Sequence, residues 1–422
     1  MLLEKPKLFT TTKEFIVVIG FLATIVFIRL LWIHQEYREF VTKPFYYTQA
    51  TVLQQYTKQK WGKSYEVLKL KSQDGYEFYT TAHLKENLSG YRVRIKLIPD
   101  EGIGYWEYLR AFYIKAKIKK VYDKVESKKS YLLQQIARQH SDSHIVSFYQ
   151  AIFLATPIDK ELRGIIAMLG VSHLVALSGF HLSILWGLVF GLLHLLYKPL
   201  QQRYFPYRYS LLDLGIITIA VLGFYLWFVD SPPSLLRSFT MLTVAWVVLL
   251  LGIELLSFSL LSFVILLLLA LFPLLISSLG FWFSVAGVFY IFLLLQWTKG
   301  HNIWLINLLY IPFGIFLFML PAVHSVFGVT ALWQLLSPFL SLLFIVFYPL
   351  VIALHLVGYG GVLDDLLLWL FSLPSIEKES ILSIEFFGVY ILLSLLAIKS
   401  RVALLSVFLM ALLYFCYLYL FI

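Results

Sequence analysis

The chain has 422 residues, of which 60% are hydrophobic and 14% are charged, and its mean hydropathy is +0.81. This composition excludes an ordinary soluble domain and indicates a polytopic membrane protein. The formal net charge of +10 is uneven, since residues 35–150 contain 20 Lys and Arg against 12 Asp and Glu. That excess fits either a polyanionic partner, such as nucleic acid or anionic lipid, or a basic solvated surface. The lone cysteine, Cys416, excludes an intrachain disulfide and a cysteine metal site.

The first predicted element is a membrane anchor. Lys5, Lys7 and Lys13 precede an apolar run over residues 15–33 that is long enough to cross a bilayer as a helix. No small-residue cleavage site follows the run, so we predict a signal anchor that stays attached. The lysines favour a cytoplasmic N-terminus, which places residues 35–150 on the far side of the membrane.

The next segment is predicted to be a small β structure. Alternating apolar and polar residues over 65–71 and 91–97 predict strands, and Asp74-Gly75 predicts a hairpin turn. Several short strands in so little chain indicate a small barrel or a curled sheet. From Trp106 to about Gln139 the pattern is instead typical of a helix. Its lysines suit a membrane-surface helix, a phosphate-contacting helix or a solvated face: Lys115, Lys117, Lys119, Lys120, Lys124, Lys128 and Lys129.

After residue 145 the chain is nearly all apolar, which predicts ten or eleven spans in total. The loop 197–210 has three basic residues and no acid, so we expect it in the cytoplasm. The segment 362–373 is too short to cross as a straight helix, yet Lys399 and Arg401 reach the cytoplasm only if it crosses. The other predicted spans are near 172–196, 211–229, 235–251, 258–276, 280–297, 303–320, 331–357, 383–398 and 402–422.

Residues 172–181 place two imidazoles and two hydroxyls inside an apolar run. Polar groups cost free energy in hydrocarbon unless they face a cavity or a partner. His173 and His181 are about 12 Å apart along a continuous helix, so one metal ion cannot bind both on a straight helix. Gly179, beside Ser178, permits a break in the helix. The pattern favours a polar cavity over two ordinary interhelical hydrogen bonds.

Two further polar positions stand out in the apolar region. Arg237 either extends to the membrane interface or supplies a permanent positive charge suited to phosphate at a channel mouth. Ser234 is predicted to cap the helix that contains it. Asn307 lies in an apolar span that continues into Pro312, where packing is the simpler interpretation.

Several catalytic signatures are absent from the sequence. No Gly-rich phosphate loop, His-Glu-x-x-His helix or Gly-x-Ser-x-Gly turn occurs. His140, Asp142 and His144 form a short cluster without further ligands nearby, and we attribute it to chance.

Taken together, these motifs resemble the ComEC family of DNA uptake channels in natural competence. The central signature runs from His173 through Ser178-Gly179 to His181. The resemblance as a whole covers most of residues 15–350. The other matching positions are Pro233, Ser234, Arg237, Met241, Ser278, Gly280, Phe281, Ser284, Asn307, Leu308, Pro312 and Pro321.

The resemblance implies an OB-like fold for the soluble segment, with a groove for single strands made by basic and aromatic side chains. The basic candidates are Lys69, Lys71, Arg92, Arg94 and Lys96. The aromatic candidates are Tyr46, Tyr47, Tyr56, Trp61, Tyr65, Tyr76 and Tyr79. Two family features are missing from this sequence: the metallo-β-lactamase-like nuclease domain that many members carry, and a disulfide in the soluble domain. We therefore expect a short form whose nuclease partner is another protein.

The predicted fold is mainly α, a polytopic transmembrane bundle with a small OB-like β-barrel inserted after the first helix. Residues 1–34 form the cytoplasmic N-terminus and first transmembrane helix, and 35–104 form the soluble β domain. Residues 105–157 form a basic amphipathic helical region, and 158–422 form the transmembrane competence domain.

The predicted function is a bacterial inner-membrane channel that passes single-stranded DNA into the cytoplasm, without enzymatic activity, cofactor or metal. The channel candidates are His173, Ser178, Gly179, His181, Ser234, Arg237 and Asn307. Expected partners are DNA, the lipid bilayer, a periplasmic DNA-binding protein and a cytoplasmic motor or single-strand-binding protein. The alternatives are an ion-coupled small-molecule transporter, an intramembrane hydrolase or acyltransferase using Ser178 with His173 or His181, and a docking subunit.

Overall fold

A computed structural model describes residues 6, 8–60, 63–73, 75–82, 86–124, 128–254, 257–373 and 377–420. The chain is mainly helical, as predicted. Its contacts divide it into two compact units. The sheet unit comprises Thr11–Ser130 with Ile265–Leu279, and the helical unit comprises Met1–Thr10, Tyr131–Val264 and Gly280–Ile422.

The sheet unit begins with helix α1 (Thr12–Thr42). The Thr11 hydroxyl accepts the backbone N–H of Glu14, and the Glu14 carboxylate accepts the backbone N–H of Thr11. This reciprocal capping explains why the helix starts here. The elements that follow are β1 (Tyr46–Lys60), β2 (Lys63–Ser72), β3 (Glu77–Ala82), β4 (Tyr91–Ile98), α2 (Tyr105–Tyr108), β5 (Phe112–Tyr113) and β6 (Lys115–Lys124).

These strands form one six-stranded sheet in the order β5-β3-β2-β1-β4-β6. The long strand β1 pairs antiparallel with β4 through its first half and with β2 through its second half, with an irregularity after Val52. The outer strands β5 and β6 are separated in the chain only by Ile114, whose N–H donates to the Tyr79 carbonyl. The predicted β region is therefore confirmed as a sheet, whereas its closure into a barrel stays a prediction.

The sheet buries one face, as the alternation predicted. Leu68, Leu70, Phe78, Val93 and Ile95 are fully buried and form its core. The predicted turn at Asp74-Gly75 joins β2 to β3. Gly75 has a φ of +91°, a conformation that favours glycine, and Asp74 lies outside the described residues.

The predicted basic helical region 105–157 is helical only in α2, in α3 (Lys128–Ala137) and in α4 (Ser143–Leu154). The prediction is wrong over β5 and β6. Lys115 and Lys117 are exposed, whereas Ala116 and Ile118 between and after them are half-buried. This two-residue period is that of a strand with one face toward a core. The density of lysines hid the alternation of the apolar residues.

The remaining helices begin with α3 (Lys128–Ala137), α4 (Ser143–Leu154), α5 (Lys160–Met168), α6 (Ser172–Val175), α7 (Gly179–Tyr204), α8 (Ser210–Phe228), α9 (Pro233–Leu250) and α10 (Phe258–Leu271). The chain continues with α11 (Leu279–Trp297), α12 (Ile303–Leu305), α13 (Ile311–His324), α14 (Ser337–Leu356), α15 (Asp364–Phe371), α16 (Ile384–Leu396) and α17 (Arg401–Tyr419). A two-stranded ribbon pairs β7 (Val329–Ala331) with β8 (Glu377–Glu379).

Among the described residues, seven helices are long and apolar enough to cross a membrane, which makes this a multi-pass membrane protein. They are Thr12–Thr42, Gly179–Tyr204, Ser210–Phe228, Leu279–Trp297, Ile303–His324, Leu332–Leu356 and Arg401–Tyr419.

The predicted count of ten or eleven spans included four segments that are not among these seven helices. Segments 235–251, 258–276 and 383–398 contain apolar helices of 13 to 18 residues, and 362–373 contains the eight-residue α15. Helix α10, for example, ends at Leu271 because Pro273 opens a separate 3₁₀ turn. An apolar run therefore predicted more continuous helix than forms.

Candidate functional site

The predicted helix break lies between α6 and α7. Ala176 and Ser178 have extended backbones, so the predicted span 172–196 is interrupted after α6 and forms one continuous helix only from Gly179 onward. The Ser178 hydroxyl accepts the backbone N–H of Phe180 at 3.3 Å and thereby caps α7. Three residues therefore separate α6 from α7, and Ser178 with Gly179 starts the second helix.

His181 is completely buried at the start of α7. Its ring packs edge-on against Phe344 and Tyr348 of α14, with centroid separations of 5.0 and 4.9 Å. Its Nδ1 atom lies 3.4 Å from both the backbone nitrogen and the hydroxyl of Ser178. That separation is longer than a serine–histidine nucleophile pair requires, and the hydroxyl is engaged as a helix cap. The arrangement does not favour the hydrolase alternative.

His173 contacts the same helix, α14, at a different point. Its Nε2 atom lies 3.1 Å from the Ser341 hydroxyl, which itself donates to the Ser337 carbonyl at 2.7 Å. Because the hydroxyl has only one proton, Nε2 of His173 donates to Ser341. His173 is exposed at the surface of the helical unit. No group of three metal-ligating side chains occurs among the described residues.

Helix α9 packs against the start of α7 at Gly179. A Cβ atom on Gly179 would lie 3.2 Å from the Ser238 hydroxyl oxygen, so a side chain here would press on α9. The next residue toward the start of α9 is Arg237, which is 5% exposed. Gly179 thus brings the helix break close to the arginine-bearing part of α9.

Arg237 is a buried cation without an anionic partner. Its guanidinium carbon lies 5.9 Å from the centre of the Phe281 ring. Its Nε has no hydrogen-bond partner, and no carboxylate lies within 4 Å in the described parts of the chain. A buried charge without an ionic partner is costly, which makes Arg237 a candidate site for an anionic ligand. Its burial argues against the interpretation that it extends to the membrane interface.

The turn before α9 is strained. Asp230 and Ser231 have φ values of +66° and +49°, a left-handed conformation that non-glycine residues rarely adopt. The helix then begins at Pro233 with Pro232 at the cap position, so the predicted capping role of Ser234 is wrong. The fixed φ of proline starts the helix two residues earlier than expected.

Asn307 is exposed and lies in a π-helical turn, Ile306–Tyr310, between α12 and α13. The N–H of Ile311 donates to the Ile306 carbonyl five residues back, and Pro312 has no N–H to continue the ordinary pattern. No contact joins Asn307 to His173, His181 or Arg237 among the residues that the structure describes. The structure therefore brings Ser178, Gly179 and His181 together with α9 and α14, and leaves Asn307 apart.

The sheet unit carries a second candidate site, a basic face on β4 and β6. Arg92, Arg94 and Lys96 alternate with buried residues and point away from the core. Lys117 lies opposite Lys96, and Lys120 lies opposite Arg94. None of these five cations has an ion pair within 4 Å among the described residues. The sequence analysis did not assign Lys117 and Lys120 to this basic face because it predicted a helix for the segment that contains them.

Aromatic rings accompany the basic face. The Lys96 ammonium lies 4.2 Å from the centre of the Phe45 ring, and the Arg94 guanidinium lies 5.8 Å from that of Tyr47. Lys120 lies 5.2 Å from the Tyr122 ring. These distances are within the range of cation–π contacts, so the rings stand beside the cations at the surface.

The predicted residues Lys69 and Lys71 lie on β2, away from the basic face. Lys69 forms an ion pair with Glu77 at 2.7 Å, which neutralises it. A separate hollow of about 400 Å³ lies on the sheet and is lined mainly by tyrosines. One of them, Tyr113, was not among the predicted aromatic residues. The full lining is Tyr56, Lys58, Tyr65, Val67, Tyr79, Thr81, Ala111 and Tyr113. Trp61, another predicted aromatic, lies outside the described residues.

Comparison with known proteins gives the chain its family. Residues 155–422 match the model of the Competence protein family, a range that includes the helix break, α9 and α14. The chain is also similar to the uncharacterized protein YcaI of Escherichia coli (strain K12), with 25% identity over 215 residues. That alignment covers 48% of this chain and 28% of the relative's length, and no solved structure matches. Because the family match spans well over half of the sequence, this chain belongs to the Competence protein family.

Proposed function

We propose that this protein is an inner-membrane channel that passes single-stranded DNA into the cytoplasm during natural competence. Family membership supports a role in DNA uptake. The observation that carries the proposal further is the basic face. Lys96 and Arg94 of β4 lie opposite Lys117 and Lys120 of β6, Arg92 lies on the same strand as the first two, and none has an acidic partner within 4 Å in the described part of the chain.

The arrangement of these cations favours a polyanionic ligand. Like charges directly opposite in a sheet destabilise it by about 0.2–1 kcal/mol per pair, and the Lys96–Lys117 and Arg94–Lys120 pairs both have this geometry. A phosphate backbone would relieve the repulsion, and contacts from Lys and Arg supply most nucleic-acid affinity. The neighbouring rings of Phe45, Tyr47 and Tyr122 suit the stacking of unpaired bases.

The sheet topology supports an OB-like fold for this unit. In our proposal β5 and β6 act as one strand interrupted at Ile114, which pairs with β3 through one end and with β4 through the other. Strand β1 is shared in the same way between β2 and β4. Such sharing is expected when five strands curl into a partly open barrel that binds oligonucleotides.

Within the helical unit, the proposed passage uses the helix break and Arg237. The guanidinium of Arg237, whose Nε has no hydrogen-bond partner, attracts phosphate, and the exposed His173 offers a second polar contact. We place the N-terminus in the cytoplasm and the sheet unit outside the inner membrane. A periplasmic DNA-binding protein would deliver the strand, and a cytoplasmic motor, a single-strand-binding protein or the proton gradient would pull it inward.

The proposal is tested by neutralising two opposed cations of the basic face. Binding of a fluorescent single-stranded oligonucleotide to the full-length protein in detergent is measured as a function of salt. For Lys96→Gln with Lys117→Gln, we expect weaker binding and a salt slope reduced by about 1.4, because each phosphate contact contributes about 0.7 for single strands. Import of labelled DNA by cells should fall in parallel.

The matched control is Lys69→Gln, which removes a lysine that Glu77 already neutralises. Its salt slope should stay at the wild-type value. Equal slopes for wild type and the double variant would overturn the assignment of the basic face. Unchanged binding with lost import would instead place the defect after DNA capture.

A further inference from the structure

A partly buried polar trio lies in the helical unit, outside the candidate channel. His140 precedes α4, His355 is in the last turn of α14, and Asp364 begins α15. Nδ1 of His140 lies 2.9 and 3.0 Å from the two Asp364 oxygens, and its Nε2 lies 3.0 Å from Nε2 of His355. The cluster of His140, Asp142 and His144, which we attributed to chance, therefore contributes one residue, His140, to a network of three side chains.

The hydrogen bonds of the trio fix where its protons must be. The Val351 carbonyl, 2.7 Å from Nδ1 of His355, can only accept, so that nitrogen carries a proton. In a neutral His355, Nε2 then accepts, and the proton between the two Nε2 atoms belongs to His140. The contact between Nδ1 of His140 and the Asp364 carboxylate requires yet another proton. All three contacts are satisfied only when the trio binds one proton beyond those of two neutral imidazoles.

Loss of this proton breaks a contact whichever tautomer forms. If neutral His140 donates to Asp364, two lone pairs face each other across 3.0 Å. If it donates to His355, its Nδ1 lone pair faces the carboxylate. The His140 side chain is 0% exposed and that of Asp364 is 15% exposed, so water cannot readily replace the lost bond.

The trio is tied to the turn between α14 and α15. The Gly360 N–H donates to the side-chain oxygen of Gln139 at 2.8 Å, and the Gln139 amide donates to the His355 carbonyl at 3.2 Å. A Cβ atom on Gly360 would lie 2.8 Å from Nε2 of His355, so the turn packs directly on the imidazole. A change in the trio is therefore transmitted to the turn.

We propose that His140, His355 and Asp364 form a proton-binding site whose occupancy holds the α14–α15 turn against the start of α4. The ligand is the proton itself, and the inference does not depend on the proposed DNA channel. The site is occupied at low pH and is vacated as the pH rises through its pKa, so the turn loosens on the alkaline side.

Few other titratable groups face the trio. The Tyr149 ring stacks on His140 with centroids 4.6 Å apart, and burial raises the pKa of this phenol above its usual value, so it stays neutral in the range of interest. Arg138, Asp142 and Asp365 are near in sequence, but none makes an ion pair with the trio in the described structure. The two close nitrogens would also suit a metal ion, yet no third ligand completes a metal site among the described residues.

The test uses the full-length protein in nanodiscs. Hydrogen exchange of peptides that cover residues 357–364 is followed from pH 5.5 to 8.5 and corrected for intrinsic exchange. For the wild type we expect protection to fall about tenfold as the proton leaves, the change that one pKa unit of linkage produces. In Asp364→Asn the amide donates to Nδ1 of His140 without an extra proton, so protection should persist at all pH values.

His301→Gln is the control, because it removes an exposed imidazole elsewhere in the helical unit. An Asp364→Asn protein with wild-type pH dependence would overturn the proposal. ¹⁵N spectra of histidine-labelled wild type give an independent readout that does not require a variant to fold. The site would also be refuted if His140 carried only one protonated ring nitrogen at pH 5.5 while Asp364 was ionised. A stoichiometric metal ion in the purified protein would refute it as well.

Discussion

Arg237 is a permanent buried charge beside the Phe281 ring, with an Nε that lacks a hydrogen-bond partner and no carboxylate within 4 Å in the part of the chain that the structure describes. A guanidinium cannot lose its proton in a protein, so neutralisation by titration is not available to it. Replacement of a buried charge by a well-packed apolar side chain is often neutral or stabilising. A buried charge that costs stability is therefore a candidate for a functional group.

We predict opposite effects of Arg237→Met on stability and on transport. Methionine keeps much of the side-chain length and removes the unpaired charge, so the thermal midpoint in detergent should stay unchanged or rise by the equivalent of about 1–4 kcal/mol. Import of labelled DNA should fall severely at equal protein levels in the membrane. Thr243→Ala, further along the same helix, is the control and should leave transport unchanged, because the Thr243 hydroxyl only donates back to the Phe239 carbonyl of its own helix. A variant that imports normally would show that Arg237 has only a structural role.

At the scale of elements, helices α8 and α9 are held together at a glycine. A Cβ atom on Gly215 would lie 2.1 Å from Nε1 of Trp246, which donates to the Leu211 carbonyl. Small residues allow transmembrane helices to approach in this way, because van der Waals packing rather than the hydrophobic effect drives their association. The strained turn at Asp230 and Ser231 joins the same two helices.

Gly215→Ala should therefore destabilise the helical unit by about 1–3 kcal/mol, the usual cost of overpacking. The measurement is the thermal midpoint in detergent, with alanine at Gly187 as the matched control. Nothing lies within 4 Å of a Cβ on Gly187, so that change should be neutral or slightly stabilising through helix propensity. Equal midpoints for the two variants would contradict the packing argument.

Elements were predictable where local chemistry decides them. Ser178 and Gly179 indicated a break because a hydroxyl cap and a glycine act through their own backbone, and the break is present. Strand β6 was missed because its lysines obscured a two-residue period. The trio of His140, His355 and Asp364 could not be found in the sequence, since His140 is more than 200 residues from the other two and shares no local pattern with them.

For the whole molecule, the charges on loops predict an orientation that the seven long helices alone do not determine. Basic loops favour the cytoplasm, whereas loops longer than about 60 residues escape the rule. Residues 197–210 are therefore expected inside, and the sheet unit outside, despite its positive charge. This arrangement would expose the basic face to incoming DNA.

Single cysteines test the orientation. In a Cys416→Ser background, an impermeant maleimide added to intact spheroplasts should label Lys119→Cys on the exposed surface of β6. It should label Arg203→Cys only after the membrane is opened, because that residue belongs to the basic loop. The same labelling of both positions in intact spheroplasts, or the reverse pattern, would contradict the proposed orientation.

The small ribbon of β7 and β8 has a consequence for the biogenesis of the protein. Residues 329–331 pair with residues 377–379, and the N–H of Ser380 donates to the Gly328 carbonyl, so the ribbon encloses all of α14 and α15. During synthesis β7 has no partner until Glu379 has left the ribosome. Helix α14, which contacts both histidines of the break, therefore enters the bilayer before its closing ribbon exists. Its final register is fixed late, after most of the chain has been translated.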